Sequence, residues 1–394
     1  MDWGKPEGME SCAAGKVYRG KRIKKKLFKI LKVVCILMIF ITIGGFIFMQ
    51  QPQFGKAPAG ERLEKIKNSP NYKDGKFQNL TSAVEPKVVS SFSEKLNDLL
   101  LNKSKRIKPA SVLPSVKTDL KNLKPEEDVF IWFGHSSYFL QVDGKKILID
   151  PVLSENASPV KFYNKSYEGS SIYTVDDIPN IDYLLISHDH YDHLDYDTVV
   201  ELKPKVKKVI TGLGVGAHFE RWGYPKDAIV EMDWNENVIL KEGFEVTVTP
   251  AKHRSGRGLK SNQTLWASFV LKTPTMKIFY SGDSGYGAHF ADIGNTYGPF
   301  DLAIMECGQY SKYWPNSHMT PEQVVQASLD LKAAKLMPGH WSKFSLSIHD
   351  WDEPIIKVIE ESKRKHLPVL FPMIGEKVDV RETISTEAWW EKVQ

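Results

Sequence analysis

Six consecutive positions carry four groups able to ligate metal, in the pattern His188-x-His190-x-Asp192-His193, at the end of the apolar run Ile181 to Ser187. Neutral imidazoles and carboxylates bind zinc-like cations at about 2.0–2.2 Å. Alternate side chains of a strand share a face, so His188 and His190 at a strand end can address one ion. Asp192 and His193 follow in the turn, where they can serve a second. A polar surface loop rich in His and Asp is the plainer alternative, but such a loop does not ordinarily empty from a buried-type strand. Cys12, Cys35 and Cys307 lie far apart and form no CxxC pair. A thiolate zinc site and a disulfide framework are therefore not expected.

Three later apolar runs also end in a donor: Phe244 to His253, Lys277 to Asp283 and Lys335 to His340. Each alone is weak, since a single His or Asp at a strand end is more often a cap or a surface group. With the first cluster they make seven donors, His188, His190, Asp192, His193, His253, Asp283 and His340. That number suits two ions sharing one carboxylate, with a position left open for water. His135 in Gly-His-Ser-Ser is expected to buttress the site from behind, and Asp150, Asp189 and Asp195 are candidates for the same role. Asp189 alternates away from the ligand face.

The elements that must hold these donors are short. Strands are predicted at Val129–Phe133, Tyr138–Val142, Lys146–Ile149, Ile181–Ser187, Val206–Thr211, Val238–Leu240, Phe244–Pro250, Leu265–Leu271, Lys277–Ser281, Leu302–Glu306 and Ala334–Met337. Asp143-Gly144 signals a hairpin. Helices are predicted at Asp195–Leu202, at Thr320–Leu331 with Thr320 capping and Pro321 in the first turn, and at Pro354–Lys363. Strands that are first hairpin-linked and then alternate with helices predict an α+β architecture, two packed sheets with helices outside.

The net charge of +5 is concentrated at one end. Residues 1–32 carry ten Lys or Arg against three acids, leaving 43 against 45 in the other 362 residues. No nucleic-acid-binding body is implied. Nor is there a GxxxxGK[ST] or strand-linked GxGxxG to bind nucleotide. Val33 to Met49 is uncharged, and its seventeen residues with their flanks just span a hydrocarbon core of about 30 Å. An uncleaved anchor is expected over a cleaved signal peptide, because the run is long and no small-x-small site follows closely. Basic residues before the span place the N-terminus in the cytoplasm and the body on the extracytoplasmic side. The chain thus divides into a basic tail (1–32), an anchor (33–50), a segment draped on the body through Phe54, Tyr72 and Phe77 (51–127), and the body (128–394). Amphipathic signals recur at Arg62 to Lys67 and Ser91 to Leu101.

The order of these donors, with Trp132-x-Gly134-His135-Ser136, Asp150-Pro151, His318-Met-Thr-Pro-Glu and Pro338-Gly-His-Trp, resembles the metallo-β-lactamase fold, a four-layer αβ/βα sandwich of hydrolases. Within it the chain is similar to the branch that hydrolyses N-acyl-phosphatidylethanolamine with a phospholipase D outcome. The resemblance covers roughly residues 52 to 375 and implies two Zn²⁺. His188, His190 and His253 would hold one, Asp192, His193 and His340 the other, and Asp283 would bridge. It also implies that a metal-bridging hydroxide attacks phosphorus in line, with Asp192 and Asp283 catalytic as ligands. His318 would lie near the phosphate, where it could aid developing charge; a solvent-facing histidine at a helix entry is the competing reading. Trp266, Tyr286, Tyr310, Tyr313 and Trp314 are either pocket or core aromatics. The loop Arg254 to Lys260 either meets a phosphate or an anionic membrane, or is a solvated loop.

The expected activity is therefore a membrane-anchored phosphodiesterase whose partners are the lipid bilayer and a phospholipid or other small ester, with no nucleic acid and a homo-oligomer compatible. The same site would also suit a lactone, β-lactam or other acyl substrate, and a non-catalytic tethered metal-binding protein is the reading from another class.

Overall fold

The structure is a computed structural model. It describes residues 1, 10–80, 91, 93, 94, 97, 98, 104–382 and 387–393, with the backbone alone for 10–24. The amphipathic stretch Ser91 to Leu101 thus lies largely outside the described residues. Two compact units are present, Met1–Phe54 and Gly55–Gln394.

The first unit contains the helix Glu10–Met49. Its portion Lys25–Met49 is long and apolar enough to cross a membrane and is 0 % buried. By length and composition a membrane span and a signal sequence both meet that description.

The second unit is built on two large sheets. One has seven strands: β3 (Val129–Trp132), β4 (Tyr138–Val142), β5 (Lys145–Ile149), β6 (Ile181–Ile186), β7 (Val206–Gly212), β8 (Ile229–Met232) and β15 (Val378–Asp379). Their order is β15-β3-β4-β5-β6-β7-β8. The other has six: β9 (Asn237–Ile239), β10 (Glu245–Thr249), β11 (Ser268–Lys272), β12 (Lys277–Tyr280), β13 (Leu302–Glu306) and β14 (Leu336–Gly339). These run β14-β13-β12-β11-β10-β9. A small hairpin, β1 (Tyr72–Lys73) with β2 (Lys76–Phe77), precedes them. Each large sheet begins antiparallel and turns parallel, at β5–β6 and at β12–β13.

Burial explains the layering. Phe130 and Trp132 of β3 join one core with Phe269 and Ile278 of the other sheet, whereas Val129 and Ile131 join a second core with Val199, Leu202 and Phe219. Both faces of the seven-stranded sheet are therefore apolar, which is why its strands read as near-continuous hydrophobic runs. Phe290, Val324 and Ile355, from the helices His289–Thr296, Pro321–Asp330 and Glu353–Lys365, belong to the larger core. The helices Tyr196–Leu202 and Gly216–Arg221 cover the opposite side. The result is the four-layer αβ/βα sandwich, α+β in class. Ile66 and Phe77, from the segment before the sheets, are fully buried in the same core.

Two strand boundaries moved for a physical reason. Leu265 to Ala267 do not pair with their neighbours in β10 and β12. Leu265 N instead donates to Leu213 O and Ala267 N to Ser187 O, 2.8 and 2.9 Å away, tying the start of β11 to the ends of β7 and β6 in the other sheet. β14 starts two residues later than expected, at Leu336, and runs to Gly339, so that it delivers His340 directly.

Beside that histidine, Trp341 is 1 % exposed and packs its ring within 5.3 Å of Trp132 and 5.4 Å of Trp389. Trp341→Ala removes the centre of this indole cluster, which costs about 3–5 kcal/mol. Thermal denaturation of the variant is expected several degrees lower, and an unchanged midpoint would contradict the packing described.

Candidate metal site

All seven donors converge at the carboxyl ends of β6, β10, β12 and β14. His188, His190 and His253 face one another through ring nitrogens. His188 Nε2 and His190 Nδ1 are 2.8 Å apart, and His253 Nε2 and His190 Nδ1 are 3.2 Å apart. Donors about 2.0–2.1 Å from a tetrahedral ion stand roughly 3.3 Å apart, so this trio has the span of a zinc-like site. Ligand atoms of His188, His190, His253 and Asp283 lie within 4.8 Å of one another, as do those of Asp192, His193, His340 and His135.

Asp283 faces both groups with different oxygens. Oδ1 is 3.1 Å from His193 Nε2 and 3.2 Å from His340 Nδ1. Oδ2 is 3.7 Å from His253 Nε2 and 3.9 Å from His188 Nε2. Several of these atoms are buried with no hydrogen-bond partner, namely His193 Nε2, His340 Nε2 and Asp283 Oδ1. Native proteins seldom leave buried polar atoms unpaired, and unpaired atoms on three of the donors fit an ion as the missing partner. The donor set, all His and Asp, suits zinc-like ions and fits the group the sequence implies.

Further partners fix the rings of His193, His253 and His340. His193 Nδ1 donates to Asp150 Oδ2 at 2.7 Å, and Asp150 also accepts from Ser187 N at 2.8 Å and Tyr280 Oη at 2.6 Å. His253 Nδ1 donates to Ser317 O at 3.0 Å, which leaves its Nε2 for the site. His340 Nδ1 is 2.8 Å from Ser136 Oγ. His135 Nε2 contacts Asp192 Oδ2 at 3.0 Å and so grips that carboxylate. Asp189 turns away, as its alternation predicts, to His218 Nε2, Thr264 Oγ1 and Gly256 N. Asp195 turns instead to Ser154 N, at 3.2 Å, and to the Thr198 hydroxyl, away from the donor rings.

Such partners ordinarily contribute 10–100-fold to metal affinity. Asp150→Asn is accordingly expected to weaken zinc binding by about that factor in a competition titration, and unaltered affinity would show that Asp150 serves only the fold.

Burial favours neutral rings at four of the five donor imidazoles, and lowers His190 below its ordinary value. Burial pushes His188, His253 and His340 well below the ordinary imidazole value, with neighbouring imidazoles adding to it. His193 is the exception. Burial opposes its charge, but Asp283, Asp192 and Asp150 outweigh that and lift it well above the usual value, while the same contact holds Asp283 well below its own. A cation entering here competes with a proton, so metal affinity falls as pH is lowered. Zinc titrations at decreasing pH check this, and affinity indifferent to pH would contradict it.

Five of the donors, His190, Asp192, His253, Asp283 and His340, open on a cavity of about 380 Å³, which is lined also by Arg254, Gln309, Trp314 and His318. Of the five candidate aromatics only Trp314 reaches it. Trp266 is core, donating to Ala251 O at 2.9 Å. Tyr286 binds Asp330, Tyr310 binds Glu353, and Tyr313 binds Asp98. The loop Arg254 to Lys260 is not uniformly solvated either. Arg257 is 4 % exposed and donates to Asp189 O and Leu194 O at 2.9 and 2.6 Å, with its guanidinium 4.2 Å over the Tyr191 ring. A buried guanidinium spent on carbonyls does not greet a phosphate; Arg254, exposed at the cavity, is the cation placed to do so.

His318 faces the cavity and is not a free helix-entry residue. Its ring stacks on His340 at 5.1 Å, and its Nδ1 lies 3.4 Å from Glu306 Oε2. Glu306 had escaped the sequence reading. It is 2 % exposed at the end of β13, and its Oε1 accepts from Met319 N at 2.7 Å. The signal was present, since Leu302 to Glu306 is one more apolar run ending in a polar group.

The β-lactamase superfamily domain matches residues 145–341. An uncharacterized protein of Mycobacterium tuberculosis is 37 % identical over 332 residues, 82 % of this chain and 87 % of that one. The N-acyl-phosphatidylethanolamine-hydrolyzing phospholipase D 1 of Caenorhabditis elegans is 29 % identical over 255 residues, 61 % of this chain and 71 % of that one. Among solved structures, a metallo hydrolase of Ignicoccus hospitalis superposes with a TM-score of 0.51 at 21 % identity, covering 64 % of this chain and 97 % of that one. That likeness speaks to the fold alone.

Fold and donor set together define a metal-dependent hydrolase. The chain belongs to the β-lactamase superfamily, and its fold is the metallo-β-lactamase sandwich.

Proposed function

We propose that this protein is a membrane-anchored dinuclear zinc phosphodiesterase acting on phospholipids of the N-acyl-phosphatidylethanolamine type. The observation that carries the dinuclear reading is Asp283, whose two oxygens face two separate groups of imidazoles. The substrate class is supported by the named activity of the nematode relative and by an apolar helix, Lys25–Met49, suited to hold the chain at a lipid surface. In the same reading the N-terminus is cytoplasmic and the body extracytoplasmic.

His188, His190 and His253 would hold one ion, Asp192, His193 and His340 the other, with Asp283 between them. When bound, such ions supply Lewis acidity and bring the pKa of coordinated water towards neutrality. The chain's own residues do the rest. Asp150, Ser136 and Ser317 O fix the rings of His193, His340 and His253, so that little reorganisation is needed on binding. Glu306 occupies the Nδ1 side of His318 and leaves Nε2 to the cavity. From there His318 donates a proton or hydrogen bond to charge developing on the phosphoryl or leaving-group oxygen. Arg254 offers the substrate's anionic group a cation at the cavity wall.

A substrate panel tests this reading. The full chain should cleave bis(p-nitrophenyl) phosphate and vesicle-borne N-acyl-phosphatidylethanolamine, releasing phosphatidic acid from the lipid. Turnover of lactones or β-lactams without phosphodiesters would overturn it in favour of acyl hydrolysis on the same site.

A further inference from the structure

Two loops supply walls of the metal cavity and then run out into solvent with side chains that water does not favour. The first, 156–165, contributes Ala157 and Asn164 to the cavity and carries Phe162, 81 % exposed, and Tyr163, 61 % exposed. The second, 254–263, contributes Arg254 and carries Leu259, 94 % exposed. Large apolar side chains scattered singly on a surface need no explanation, but here they flank one functional cavity from two separate segments.

The charges of these loops have one sign. Lys161, Lys165, Arg254 and Lys260 are exposed, and neither segment contains an acid. Lys161 does meet Asp197 at 3.4 Å, yet its side chain is 83 % exposed and such a pair contributes little. Aromatic side chains that combine an apolar body with a polar edge, interspersed with lysine and arginine, are the chemistry of the bilayer interface. Cations there gain from the negative surface potential of anionic lipids. A second copy of the chain is a poorer occupant, since a two-fold contact through this rim would set its cations against one another.

Cavity size points the same way. At about 30 Å³ per water of liquid volume, 380 Å³ holds on the order of a dozen waters. That suits a headgroup, and the acyl chains of a lipid must then lie outside it, against whatever surrounds the mouth.

We propose that Phe162, Tyr163 and Leu259, with Lys161, Lys165 and Lys260, form a rim that docks the mouth of the metal cavity into an anionic bilayer. The proposal deepens the lipid phosphodiesterase reading, on which it rests. It assigns these loops the task of bringing the headgroup to the donors while the tails stay in the membrane.

The test uses the full chain in vesicles of phosphatidylglycerol and phosphatidylcholine. With Cys12→Ser and Cys35→Ser as background, a nitroxide is attached at Phe162→Cys, at Leu259→Cys or, as a control away from the cavity, at Ile239→Cys on β9. Ile239 is 79 % exposed. Collisions with oxygen, which concentrates in lipid, are compared with those of a water-soluble nickel chelate. The labels at 162 and 259 should favour oxygen several-fold over the label at 239. Equal accessibility at all three positions would overturn the docking.

In parallel, Phe162→Ser combined with Leu259→Ser should slow hydrolysis of vesicle lipid by on the order of tenfold, the scale of losing a buried apolar side chain. The rate on soluble bis(p-nitrophenyl) phosphate should not change. An equal fall on both substrates would mean that the loops serve the site itself and would also overturn the docking. Inserted labels with no lipid turnover would support the docking and remove the substrate reading, whereas labels left in water while lipid is cleaved would do the reverse.

Discussion

Replacing Asp283 with Ala should lower kcat/KM by on the order of 10³-fold or more, about 4 kcal/mol of transition-state stabilisation. Its two oxygens face the two imidazole clusters separately, so no single histidine substitution should be as damaging. The variant also leaves five imidazoles, those of His188, His190, His193, His253 and His340, with Asp192 as the one carboxylate among the six remaining donors. Electrostatic balance for two dications is then lost, and bound metal should fall below two ions per chain. Burial works against a charged Asp283, and the neighbouring His193 and His340 overcome it. In the metal-free protein that arrangement is an ion pair between a buried carboxylate and His193. Removing Asp283 leaves the buried charge of His193 to Asp150 and Asp192 alone, so the metal-free variant should also melt earlier than the metal-free parent. Full activity with two bound ions in Asp283→Ala would dismiss the shared carboxylate.

The second large effect concerns His318. A positioned general acid is worth about 10²–10⁴-fold, and His318→Asn should lose activity on that scale while retaining its metal. Glu306 governs the pH at which His318 can act. Burial opposes charge on His318, but Glu306, with Asp283 and Asp192, outweighs it and raises the imidazole above its ordinary value. Burial likewise pushes Glu306 up to about 7, against the pull of His318. The sign follows directly. Glu306→Gln removes a negative charge, the imidazolium gives up its proton at lower pH, and the alkaline limb of the kcat profile moves down. A merely structural role for Glu306 would lower activity at every pH without moving the limb, and pH–rate profiles of the two proteins separate these outcomes.

The donors were legible in the sequence because each stands where an apolar strand stops. His188 to His193, Asp283 and His340 all obey that rule; the Thr320 cap and the hairpin at Asp143-Gly144 are likewise found where expected. What escaped was set by long-range contact. The strand Ile229–Met232 is half-exposed along most of its length and owes its state to pairing with β7. The helices Gly216–Arg221 and His289–Thr296 are short, and periodicity over six or eight residues cannot announce them. Arg257 reads as a loop cation. Only the fold brings Tyr191, Trp222 and two carbonyls around it. Glu306 went unnoticed because a carboxylate at a strand end gains meaning only when His318, from the next loop, lies against it.

A carboxylate shared between two imidazole groups requires two ions per chain. Full-length protein stripped of metal and then titrated with Zn²⁺ should be inactive on bis(p-nitrophenyl) phosphate at first and should recover as ion is added, reaching a plateau at two equivalents per chain. Phosphodiesterase activity that survives complete removal of metal, or a plateau at one equivalent, would contradict it.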